Sequence, residues 1–147
     1  IYEGISGGRE KLETVYLPCC DGDLIGALKA ARKEDMFTGT TSAGPHRDDI
    51  DFKINGVSAR PYGSQGQQRS IAISLKLAEA EVINSVSEEY PVFLLDDVMS
   101  ELDPNRQDYI LNRIKGMQTF LTCCDPTNIK NLESGKIFRV KNGRVEN

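Results

Sequence analysis

The 147 residues contain no tryptophan, one histidine and four cysteines, and each scarcity removes a class of chemistry. The cysteines fall in two vicinal pairs, Cys19-Cys20 and Cys123-Cys124. With His46 alone beside them there is no C-x-x-C and no zinc-like ligand set. Vicinal cysteines bridge each other with difficulty, so both pairs read as reduced thiols of a cytoplasmic protein. No apolar run approaches the roughly 18 residues of a membrane-spanning helix, and no signal-peptide pattern opens the chain. GxxxxGK(S/T) is absent throughout, so these residues hold no P-loop to cradle nucleotide phosphates. Basic residues are missing from one long stretch: residues 77–105 carry eight acids and no Lys or Arg. Residues 126–145 carry five Lys or Arg and one acid, and the net charge of −4 argues against a general nucleic-acid sponge. The basic block is either a solvated face or a contact to phosphate backbones.

What is present suits one soluble globular domain, 39% hydrophobic and 27% charged, large enough to bury about 70% of its unfolded surface. The chain starts at Ile1 in mid-pattern and reads as part of something longer. Lys11 to Leu17 has strand composition and Pro18 ends it. Asp21 or Asp23 can cap a helix to about Lys33, with Leu24, Leu28 and Ala31 on one face. Phe37 to Ala43 leads into Gly44-Pro45-His46-Arg47-Asp48-Asp49. Ile50, Phe52 and Ile54 then alternate with polar residues, and Asn55-Gly56 predicts a type I′ hairpin. Val57 and Ala59 start the return strand, which Pro61 closes. His46 is open to reading as a ligand, a base or a hydrogen-bonded structural residue.

The most informative stretch runs from Tyr62 to Asp103. Ser64-Gln65-Gly66-Gln67 opens a long helix, and Ser64 with Gln67 forms an S-x-x-Q capping box. The same hydroxyl, bare glycine and exposed amide groups also make an anion site at a helix N-terminus. Ile71, Leu75, Ala78, Val82 and Val86 recur at helical spacing and predict the stripe that faces the sheet. Pro91 to Leu95 is an apolar run too brief for a helix, consistent with a parallel strand buried on both faces. Asp96 and Asp97 stand where it ends. That is where ligands bind in open α/β sheets, and where a Walker B carboxylate helps hold Mg²⁺; alternatively the pair caps the next turn. Asp103-Pro104 starts a helix carrying Ile110, Leu111 and Ile114, which Gly116 ends. Thr119 to Thr122 predicts a second strand parallel to the first. Residues 126–132 read as a short helix or turn, and a last hairpin turns at Asn142-Gly143.

FLLDDVMSELD aligns without gaps to the Walker B and D-loop of ABC-type ATPases, and Ser64 to Gln67 falls where those enzymes carry their LSGGQ signature. With GPHRDD upstream, the combination resembles the RecF family of bacterial recombination mediators, most strongly from Gly44 to Asp103. The resemblance implies the C-terminal half of an ABC/SMC-type, P-loop NTPase-like ATPase head over residues 38–147. Residues 1–37 would precede it as the return from a helical lobe. It implies ATP and Mg²⁺ as cofactors, with Asp96 as the Mg²⁺-side carboxylate and Asp97 in place of the usual catalytic glutamate. Ser64, Gln65, Gly66 and Gln67 would serve the nucleotide of an opposite protomer, and Ser100 and Asp103 would belong to the D-loop. Cys124 stands where many ABC ATPases place a switch histidine, which leaves Thr122 as the candidate γ-phosphate hydroxyl. Also implied are an ATP-dependent homodimer, binding to single- and double-stranded DNA, RecO- and RecR-type partners, RecA loading and a part in the SOS response. Two rival readings remain: another SMC- or Rad50-type head, and a non-enzymatic DNA- or partner-binding module.

Overall fold

The computed structural model describes residues 1–20, 22–125 and 135–146. The chain divides into two compact units, residues 1–75 and 76–147. Residues 12–17 and 49–54, on either side of the expected boundary after residue 37, pair as antiparallel strands.

In the first unit a single turn of helix, α1 (Tyr2–Ile5), precedes β1 (Leu12–Leu17). Helix α2 (Leu24–Thr38) starts at Asp23, whose carboxylate accepts the Gly26 N–H. It runs five residues past the expected end at Lys33. The stop is Gly39, whose left-handed φ of 71° lets its N–H close on the Asp35 carbonyl; the basic cluster before it carries no stop signal. None of its residues is buried, so Leu24, Leu28 and Ala31 form no core face. A 3₁₀ turn (Pro45–Arg47) leads into β2 (Asp49–Ile54), which pairs antiparallel with β1 along its whole length, Leu12 opposite Ile54 and Leu17 opposite Asp49. Asn55 and Gly56 adopt φ of 51° and 82°, the type I′ turn the sequence signals. The return strand β3 is only Val57–Ser58; Ala59 and Pro61 belong to a short helix, α3 (Ala59–Tyr62). Proline at its third position withholds an N–H that the first turn would not use. Tyr2, Ile54, Ala59 and Ile71 are buried together, with Leu12 and Phe52 packed on them.

Helix α4 (Gln65–Ser87) begins in the first unit and ends in the second. Its buried stripe is Ser70, Ile73, Ser74, Leu77 and Ala80, joined by Ile71. The expected stripe is therefore corrected: Leu75, Val82 and Val86 are exposed, Val86 by 82%. Two stripes at helical spacing compete in this sequence, and the shorter one wins because its two serines can be buried. Ser70 Oγ donates to the Gly66 carbonyl at 2.6 Å and Ser74 Oγ to the Ser70 carbonyl at 2.7 Å, so neither hydroxyl enters the core unsatisfied.

In the second unit β4 (Phe93–Asp96) pairs parallel with β5 (Thr119–Thr122), and α5 (Pro104–Arg113) connects them. Ile110, Leu111 and Ile114 are buried as expected, and α5 ends before Gly116 is reached. Strand β4 is covered on one face only. Phe93 and Leu95 are buried, whereas Leu94 is 75% exposed beside its partner Phe120 at 58%. Successive side chains point to opposite faces, so an unbroken apolar run does not require two buried faces. Strands β6 (Arg139–Lys141) and β7 (Arg144–Glu146) close the last hairpin through Asn142 and Gly143. The turn expected at residues 126–132 lies outside the described residues.

Candidate functional site

The acidic end of the second unit is built by strand register. Asp96 lies opposite Thr122 at the carboxyl ends of β4 and β5, and a parallel pair places such side chains on one face. The Thr122 hydroxyl donates to Asp96 Oδ1 at 2.5 Å and accepts the Asp97 N–H at 3.0 Å. Asp97 turns the chain out of the strand with a left-handed φ of 46°, a region Asp enters more readily than most residues. Ser100 Oγ then donates to the Asp97 carbonyl at 3.2 Å. The Asp97 carboxylate and Asp96 Oδ2 have no hydrogen-bond partner among the described residues. Asp96, Asp97, Ser100 and Thr122 are thus brought together. The hydroxyl that the sequence offers as a γ-phosphate sensor is committed to the acid pair.

The loop to α5 is pinned by fully buried Met99 and by Leu102. Gln107 Nε2 donates to both of their carbonyls, at 2.9 and 3.1 Å. Asp103 caps α5: Oδ1 accepts the Asn105 and Arg106 N–H groups at 3.1 and 3.2 Å. Its other oxygen meets Arg106 Nε at 3.0 Å. Beside the acid pair, burial pushes the Cys123 thiol up, helped by negative charge at Cys124, Asp125 and Asp97. The thiol stays protonated at neutral pH and adds no charge there. Among the described residues no group of three or more His, Cys, Asp or Glu could by itself hold a metal. That donor set still suits Mg²⁺, which takes one or two carboxylates and completes its shell with waters and phosphate oxygens.

The candidate signature residues lie in the first unit. Ser64 Oγ accepts the Gln67 N–H at 3.2 Å and Gln67 Oε1 accepts the Ser64 N–H at 2.9 Å, so the capping box is fully formed. Gln67 Nε2 donates to Glu10 at 3.0 Å, and Glu10 accepts the Tyr2 hydroxyl at 2.6 Å. Both ends of the Gln67 amide are spent on shaping the loop. Ser64 Oγ serves the cap as an acceptor, so its hydroxyl proton is not used there. Ser64 and Gln65 are exposed, and Gly66 is half-buried.

GPHRDD turns out to be a set of ties, and sequence reasoning missed those of Gly44 and Asp48 because their partners are distant in the chain. Asp48 accepts the Cys19 N–H at 2.8 Å and the Tyr16 hydroxyl. Those bonds hold its carboxyl below the usual range, and Asp48 in turn raises the Tyr16 phenol. Cys19 Sγ lies 3.2 Å from both the Gly44 N–H and its carbonyl. His46 Nε2 and Arg47 Nε both reach the Thr41 carbonyl at 2.9 Å, which ties the His46 ring to the main chain. Arg60 grips Asp49 through two bonds of 2.7 and 2.9 Å and lowers its carboxyl.

No protein-family model matches the chain. Over 99% of its length it is 46% identical to the DNA replication and repair protein RecF of Clostridium kluyveri and 45% identical to that of Bacillus thuringiensis. Two solved structures, described as the recombination mediator protein RecF-ATP and RecF-ATPrS in the RecFOR pathway, match it with TM-scores of 0.66 and 0.68. Their identities are 37% and 36%, again over 99% of the chain. The resemblance to RecF is borne out. The chain spans 42–43% of the length of those RecF sequences and structures. The similarity takes in residues 1–37, where the sequence offers few motifs. The α/β class, with parallel strands, flanking helices and hairpins, is likewise that of the RecF structures.

Proposed function

We propose that this chain supplies the acidic half of an ATP site, and a signature loop, to a RecF-type DNA replication and repair protein. The observation that carries the reading is the Asp96-Asp97 pair at the carboxyl ends of a parallel strand pair, in a chain whose solved relatives are described with ATP. Mg²⁺ bound beside the nucleotide would neutralise phosphate charge there. Asp96 would hold it through Oδ2, Oδ1 being engaged by Thr122. Asp97, with its carboxylate free of hydrogen bonds among the described residues, would take the proton of the attacking water. Aspartate is one methylene shorter than the usual glutamate, which favours slow turnover. The P-loop would come from outside these 147 residues.

Ser64, Gln65 and Gly66 would meet the nucleotide of a second copy, with Gln67 bracing them and Ser100 contributing from the D-loop. ATP would thereby drive dimerisation on single- and double-stranded DNA, with RecO- and RecR-type partners, in RecA loading and recombinational repair. The RecF relatives favour this over an SMC- or Rad50-type head.

Replacing Ser64 tests it. In the full-length protein Ser64→Arg should abolish ATP-dependent dimers in sedimentation while leaving monomer ATP affinity nearly unchanged. Ser64→Asp, an equally good N-cap, should melt like the parent and also fail to dimerise, because a carboxylate repels triphosphate. Normal dimers from Ser64→Asp would reduce Ser64 to a helix cap and sink the signature reading.

A further inference from the structure

We infer that Thr122 is a positioning residue for the acid pair, fixing the Asp96 side chain and the Asp97 main chain through one hydroxyl. The inference rests on the ATP-site reading above, and it gives Thr122 a different task from touching phosphate.

A threonine hydroxyl has one proton to give. Here that proton goes to Asp96 Oδ1 at 2.5 Å, the short range of a hydroxyl donating to a carboxylate. A lone pair of the same oxygen receives the Asp97 N–H at 3.0 Å. Strand pairing ends at Asp96 opposite Thr122, so the Asp97 amide lies just past the ladder and takes a side-chain acceptor instead. Asp97 also holds a φ of 46°, and a tether at its own N–H opposes relaxation of that turn. On Asp96, engagement of Oδ1 selects one carboxylate orientation and leaves Oδ2 without a hydrogen bond among the described residues. The β-branch of threonine restricts χ1, so the hydroxyl is aimed by its own strand. The arrangement is that of an outer residue orienting a metal-side carboxylate, and such residues typically govern metal affinity by about 10–100-fold.

The test uses the full-length protein with Thr122→Val, which keeps the shape and removes the hydroxyl, and Thr122→Ser, which restores it. Mg²⁺ is titrated against binding of a fluorescent ATP analogue. Thr122→Val should raise the Mg²⁺ concentration at half-saturation by about 10–100-fold and leave metal-free nucleotide binding unchanged. Thr122→Ser should return most of the loss. Without any nucleotide, exchange of the Asp97 amide should be several-fold faster in Thr122→Val than in the parent or the serine variant. If Thr122→Val does not melt cooperatively, Thr122→Ala replaces it, judged against the same serine rescue. Parent-like Mg²⁺ dependence and unchanged Asp97 exchange in the hydroxyl-less variant would overturn the inference, as would a serine variant as defective as valine. A parent that binds nucleotide without regard to Mg²⁺ would instead overturn the ATP-site reading. Amide exchange would still decide whether Thr122 holds the turn.

Discussion

Asp96 and Asp97 are adjacent in sequence yet differently equipped. One oxygen of Asp96 is bound by Thr122, while the Asp97 carboxylate has no hydrogen-bond partner among the described residues. The role of base proposed for Asp97 needs that freedom, because hydrogen bonds to a carboxylate favour its ionised form and weaken its hold on a proton. Asp97→Asn in the full-length protein should slow ATP hydrolysis by about 10²–10⁴-fold and leave ATP-driven dimers intact, as read by phosphate release beside sedimentation. Unchanged hydrolysis would remove Asp97 from the mechanism. The pair itself was legible: a brief apolar run followed by two acids is a local pattern. The use of Thr122 was not, because its partners lie 25 and 26 residues away and only the parallel register joins them. The ties of Asp48 to Tyr16 and Cys19 were hidden for the same reason.

Caps and turns, which depend on neighbours in the chain, were the most legible elements. Asp103-Pro104 starts α5, Asn55-Gly56 turns the first hairpin and Ser64 with Gln67 caps α4. The buried face of α4 was misread because two serines were counted as polar, and nothing local says that their hydroxyls turn back onto the helix. Asp103 belongs to this scale, since its observed bonds all serve α5. Asp103→Ala should lower stability in urea unfolding by at least the ~0.5–2 kcal/mol of a lost N-cap, with the loss of its bond to buried Arg106 added. Asp103→Asn keeps the cap and removes the charge, so it should recover most of that stability. If the asparagine variant also dimerises normally with ATP, the carboxylate has no duty beyond α5.

The chain as a whole falls into units of residues 1–75 and 76–147. The pairing of β1 with β2 inside the first unit was not legible, because it spans 31 intervening residues. The 147-residue chain alone should hydrolyse no ATP and bind it weakly, since no GxxxxGK(S/T) is present to cradle phosphates. Calorimetric titration with ATP and Mg²⁺ checks this, and tight, Mg²⁺-dependent binding would contradict it. The uncovered pair Leu94 and Phe120 lies on the same strand faces as Asp96 and Thr122. Asp96 therefore stands at the end of an apolar strip that the described residues leave exposed.

The left-handed turn at Asp97 bears on protein engineering. Glycine holds a φ of 46° without steric strain; for other residues the left-handed region costs about 1 kcal/mol or more. A redesign ranked on thermostability alone would therefore select Asp97→Gly among its first changes. It would obtain a sturdier turn and discard the carboxylate that the proposed mechanism uses as its base.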